Sequence, residues 1–195
     1  NMGGSAMALD KYGAGVTVLS GSNTYGNTTG IYEGTLLVNG TNAAGGSFTV
    51  SAGATLGGAG AAAPEAGASV TVDGTLAAGG DALACGTLTL GSAEQATALT
   101  LNGTLAAEIG QDGHDCVSVW GDVTFGAAAS VAVTALDEQV WLDRRGEEMP
   151  LLLWTGTKTG TWTIAAALPS GWKVREKPDG IWLAYAANGT LIRVQ

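Results

Sequence analysis

The single histidine of this 195-residue chain sits in the one polar cluster able to act on a substrate or hold a cation, Gln111-Asp112-Gly113-His114-Asp115. A calcium ion would ask for about six to eight oxygen ligands, and no further carboxylates follow at EF-hand spacing. One His offers neither a His-rich zinc site nor a Ser-His-Asp triad with spare parts. The cluster therefore reads as a polar turn between strands, with Asp115 bonding a backbone amide.

Carboxylates are the next candidates. Glycoside hydrolysis needs two of them about 5–9.5 Å apart. Asp73, Asp81, Glu94 and Glu108 could be gathered by a fold, but the sequence does not say that they are. A lyase needs a base beside the carbon to be deprotonated, and between Lys11 and Arg144 the chain has no Lys or Arg at all. The same gap removes a P-loop lysine, a guanidinium clamp and the cations that replace counterions on a phosphate backbone. Neither phosphoryl transfer nor nucleic-acid binding is expected. No enzyme activity, metal or other cofactor is expected.

Cys85 and Cys116 leave two readings open: a disulfide stabilising by about 3–4 kcal/mol in the chain-entropy model, or two buried free thiols. The six tryptophans all lie from Trp120 onward, at 120, 141, 154, 162, 172 and 182. Exposed indoles could stack on sugar rings; the plainer role is to fill a core or close its end. Trp154, inside Leu151-Leu152-Leu153-Trp154, is expected to be buried. Trp141, beside Asp143-Arg144-Arg145-Gly146-Glu147-Glu148, is the best candidate for ligand contact. That charged run reads as a solvated loop. The Asn-x-Ser/Thr matches at Asn27, Asn39, Asn102 and Asn188 read as turn chemistry.

What would position these residues is strand after strand. Gly34-Thr35-Leu36, Ala54-Thr55-Leu56 and Gly74-Thr75-Leu76 recur every 20 residues, and Gly86-Thr87-Leu88 and Gly103-Thr104-Leu105 follow off that spacing. Short period-two runs such as Ser47-Phe48-Thr49-Val50 and Ser69-Val70-Thr71-Val72 end in Gly, Asn or Asp-Gly. A unit of this size cannot bury its apolar side alone, but stacked on like units it can. A β-sandwich is the rival all-β arrangement; the Thr-Leu repeat favours a solenoid. With 32 Gly and only 13% charged residues, the composition suits many close turns and few helices. Towards the C-terminus, Trp172 to Tyr185 reads as a hairpin on Pro178-Asp179-Gly180, and Asn188-Gly189 as a second turn into Leu191-Ile192-Arg193-Val194.

The opening residues carry a more specific pattern: Lys11-Tyr12-Gly13-Ala14-Gly15, then Leu19-Ser20-Gly21-Ser22-Asn23-Thr24-Tyr25, Thr28-Thr29, and Gly34-Thr35-Leu36. It resembles the autotransporter-associated β-strand repeat, also called the passenger-associated transport repeat. More loosely, Asp115-Cys116-Val117-Ser118-Val119 and the strands after it resemble the C-terminal part of passenger domains. The resemblance implies a parallel β-helix outside a bacterial cell, in a protein exported across an outer membrane, whose repeat supports passage and folding and not catalysis.

The expectation is thus an all-β chain: a lead-in at 1–11, a right-handed parallel β-helix at 12–135 with the repeat motif at 11–40, and a Trp-rich antiparallel cap at 136–195. Its expected role is a structural stalk of a secreted or surface-exposed protein, supporting export and display. Its partner would be the remainder of a longer parent chain; surface glycans are the partner in an adhesin alternative, and polysaccharide degradation is the weaker rival. Neither nucleic acid nor membrane insertion is expected of this segment, which has no apolar run long enough to span a bilayer as a helix.

Overall fold

The structure, a computed structural model, describes residues 3–4, 7–43, 45–65, 67–80 and 85–186. The chain visits three sheets in turn, over and over. Sheet I takes β1 (Gly3–Gly4), β4 (Ser22–Tyr25), β7 (Thr41–Ala43), β10 (Ala61–Ala63), β13 (Thr87–Leu90), β16 (Cys116–Val119) and β19 (Glu148–Trp154). Sheet II takes β2 (Leu9–Lys11), β5 (Thr29–Ile31), β8 (Phe48–Val50), β11 (Ser69–Val72), β14 (Ala98–Leu101), β17 (Val123–Phe125) and β20 (Lys158–Gly160). Sheet III takes β3 (Val16–Leu19), β6 (Thr35–Val38), β9 (Thr55–Gly58), β12 (Thr75–Ala78), β15 (Thr104–Ile109), β18 (Ser130–Ala135) and β21 (Thr163–Ile164). Neighbours within each series pair in parallel. This is the expected parallel β-helix; a sandwich would pair its strands antiparallel.

The Thr-Leu repeat supplies one column of its core. Leu36, Leu56, Leu76 and Leu105 stand opposite one another on β6, β9, β12 and β15, and each is at most 1% exposed. Gly86-Thr87-Leu88 belongs elsewhere: Leu88 lies on sheet I, opposite Val117. The glycine before the Thr-Leu pair marks the corner from sheet II to sheet III. A side chain on Gly74 would run into the Ala54 carbonyl of the coil before it, so this corner stacks closely only without one.

Polar residues of the opening motif turn inward as well. Asn23 and Asn42 are in register on β4 and β7, both buried. The Tyr25 hydroxyl meets Thr29 Oγ1 at 2.7 Å and accepts from Asn42 Nδ2. Lys11, also buried, donates from Nζ to the carbonyls of Tyr12, Gly13 and Glu33. It ties the corner of one coil to the same corner of the next.

The far end of the core becomes aromatic. Phe125 and Trp154 meet edge to face with ring centroids 6.3 Å apart, and Trp154 is buried as its surroundings predict. Strands β22 (Trp172–Lys177) and β23 (Gly180–Tyr185) then form an antiparallel hairpin, and β23 lies antiparallel on β19. The hairpin turns at Pro178-Asp179, as the sequence predicts; Trp154 Nε1 donates to the Pro178 carbonyl at 3.1 Å. Asn188-Gly189 and the strand expected after it lie outside the described residues.

Parallel stacking reaches beyond 12–135 in both directions. β2, within the expected lead-in, pairs with β5, and β19, β20 and β21, within the expected cap, continue the coils. Among the described residues, β22 and β23 are the antiparallel additions. Backbone pairing of small strands needs no repeat motif, so the coils outrun the sequence signature.

Candidate functional site

One corner of the helix departs from the tight pattern. From sheet III to sheet I, the first three crossings take two residues each (20–21, 39–40, 59–60). The next three take eight (79–86), six (110–115) and twelve (136–147). Insertions in stacked repeats gather on one face when that face is used for something other than packing. Three successive enlargements lie at this corner, against one at another corner, the seven residues 91–97 between β13 and β14; it is therefore the candidate site.

The 110–115 loop is the polar cluster singled out above, and its anchor is Asp115. Asp115 is 2% exposed. Its Oδ1 accepts from the Gly86 amide and its Oδ2 from the Glu108 amide, both at 2.9 Å. One carboxylate so joins β15, the approach to β13 and the approach to β16. Burial outweighs these two bonds and pushes its pKa up to about 6. His114 is half-buried, and its pKa is held below the ordinary value by burial and then by the Arg144 charge. The Arg144 guanidinium donates to the carbonyls of Gly110 and Gly113 and to Glu147 Oε2. Gln111 and Gln139 both donate to Asp143, at 2.9 Å each, so the loop is fastened to α1 (Val140–Asp143). These groups hold backbone; Asp115 has no oxygen left facing solvent for catalysis. The charged run 143–148 thus does more than meet solvent, because Arg144 closes the loop beneath it.

Cys85 and Cys116 are both free thiols. Cys116 stands opposite Thr87, so the two cysteines lie on neighbouring coils, two positions out of step. Cys85 Sγ points instead to the Glu108 carbonyl at 3.7 Å. Burial raises both thiols, Cys116 to about 11.

The other carboxylates are dispersed. Asp73 accepts from Asn102 Nδ2 at 2.7 Å and Glu94 from Ser92 Oγ at 3.1 Å; Asp81 lies outside the described residues. Glu108 shares a cavity of about 190 Å³ with Asp115, smaller than the roughly 300 Å³ at which ligand pockets begin. Among the described residues no three His, Cys, Asp or Glu side chains gather as they would around a metal ion. Asn27 and Asn39 accept backbone amides at turns, as their motif positions suggest; Asn188 is outside the described residues.

Trp141, the indole named above for ligand contact, is half-buried. Its ring packs edge to face on Trp172, 5.2 Å between centroids, and its carbonyl accepts from Trp172 Nε1 at 3.0 Å. The exposed tryptophan is Trp120, at 39%. Trp141 does, however, line a cavity of about 550 Å³ between α1 and the turn that precedes β22. Sequence reading missed this cavity's second wall because Trp172 comes from a separate element 31 residues on.

No family model matches the chain, and no match is found among curated proteins.

Proposed function

We propose that this chain is a structural β-helical spacer of a secreted or surface-exposed bacterial protein, supporting the export and display of the rest of its parent chain. The observation behind this reading is the uninterrupted interior: one column runs Leu36, Leu56, Leu76, Leu105, Val131 through five coils, all at most 1% exposed. Such a filled interior gives a stiff rod. Charge agrees with it. Residues 1–135 carry ten Asp or Glu against Lys11, while 136–195 hold seven acids and seven bases. The whole net charge of −9 lies on the coils and discourages association along them. The opening motif, which resembles the passenger repeat, supports the extracellular setting.

The test is secretion of the parent protein with the end of the rod loosened by Trp154→Ala and Trp172→Ala. A spacer that assists export by folding loses secretion and protease resistance together. Full secretion from a chain whose end has melted would count against the export role.

A carbohydrate-binding role is the second reading, favoured by the cavity beside Trp141.

A further inference from the structure

The cavity beside Trp141 deserves a ligand class, and the chemistry of its walls supplies one. Its floor is aromatic: Trp172 is 5% exposed and braces Trp141 edge to face. The rest of the lining mixes the polar Glu138, Gln139, Arg145 and Ser170 with Leu142 and Pro169. The Glu138 side chain makes no hydrogen bond among the described residues, whereas Arg145 is steadied over the Tyr185 ring at 5.2 Å. At about 550 Å³ the space falls within the range of small-ligand sites. It also stands at the corner where successive coils have been enlarged.

We propose that this cavity binds a neutral hexopyranose unit of a glycan. A hexopyranose has an apolar C–H face and a rim of hydroxyls, and the cavity offers both aromatic and polar side chains to meet them. The ring's C–H face packs on the Trp141 indole, whose π face carries partial negative charge. Its hydroxyls donate to Glu138 and accept from Arg145. A wholly apolar ligand would bury the Glu138 carboxylate without a partner. An acidic sugar would face both that carboxylate and the acidic coils. This inference rests on the carbohydrate reading, and the spacer reading stands without it.

The experiment titrates the purified chain with cellohexaose, maltohexaose and mannohexaose, read by tryptophan fluorescence and saturation-transfer NMR. Saturable binding of at least one is expected. Trp141→Ala should weaken it about tenfold, and Glu138→Ala, at an exposed position that spares the fold, about fivefold. Trp120→Ala, outside the cavity, should change nothing. If Trp141→Ala fails to fold, Glu138→Ala decides. No binding of any of the three at millimolar concentration, or binding undiminished by Glu138→Ala, overturns the proposal. Either result leaves the secretion test of the spacer reading unaffected.

Discussion

The Tyr25 hydroxyl and Asn42 Nδ2 are 2.9 Å apart inside the helix, linking two consecutive coils where neither side chain meets solvent. The same hydroxyl contacts Thr29 Oγ1, and Asn42 Oδ1 has no partner among the described residues. Tyr25→Phe would leave the Asn42 amide unpaired at both ends. A loss of about 2 kcal/mol in urea unfolding is expected. Adding Asn42→Leu to Tyr25→Phe should recover part of it, because an apolar pair needs no hydrogen bond. A double variant weaker than the single one would show that the polar link itself holds the coils.

Packing in the leucine column predicts a larger effect. Leu76 is fully buried between Leu56 and Leu105. Leu76→Ala should cost about 2–5 kcal/mol by denaturant titration, since stacked coils on both sides limit collapse around the cavity. Gly74→Ala, two residues earlier, should also destabilise, because its added methyl meets the Ala54 carbonyl. An unchanged midpoint for either would contradict the close stacking at this corner.

These two sites also mark what the sequence made legible. The 20-residue spacing of Leu36, Leu56 and Leu76 identified both the solenoid and its leucine column, because coils of equal length place equal residues opposite each other. Leu105 keeps its place although residues 79–86 lengthen the coil, whereas Gly86-Thr87-Leu88 has the same letters in another sheet. Local spacing does not tell those cases apart; only the count of strands per coil does. Asp115 reaches the amides of Gly86 and Glu108, 29 and 7 residues away, and nothing local announces such bonds. Trp141 is less exposed than its charged neighbours in sequence suggest, because its neighbour in space is Trp172.

Asp115 gives the fold a distinct response to acid. Its carboxyl titrates near 6 in the folded chain against 3.8 ordinarily, so the folded state binds the proton more tightly. Stability from this group is therefore gained as pH falls through 6, is complete below 3.8, and is lost again as pH rises. The span is on the order of 3 kcal/mol. Asp122, Asp143 and Glu176, whose pKa values are lowered by hydrogen bonds in the folded state, pull the opposite way. The readout is thus the difference between the wild type and Asp115→Asn from pH 7 to pH 4. A constant difference across that range would refute the assignment.

The cysteines predict a chemical pattern. Both thiols are raised by burial, so little thiolate exists near neutral pH. Iodoacetamide at pH 7.5 should modify the half-buried Cys85 slowly and the buried Cys116 only on unfolding, with mass spectrometry under non-reducing conditions finding two thiols. A mass two hydrogens lower, with no alkylation after denaturation, would mean that the coils shift enough to join them.

The most direct measurement for a spacer of fixed length is the distance between its two ends. Val16 and Thr163 are exposed positions in one register line through Thr35, Thr55, Thr75, Thr104 and Ser130. Six steps between parallel strands amount to about 29 Å. Spin labels on Val16→Cys and Thr163→Cys, with Cys85→Ser and Cys116→Ala removing the native thiols, would report it by double electron–electron resonance. A single narrow distribution near 30 Å is predicted. A broad or much shorter one would contradict both the continuous stack of coils and the rigid spacer built on it.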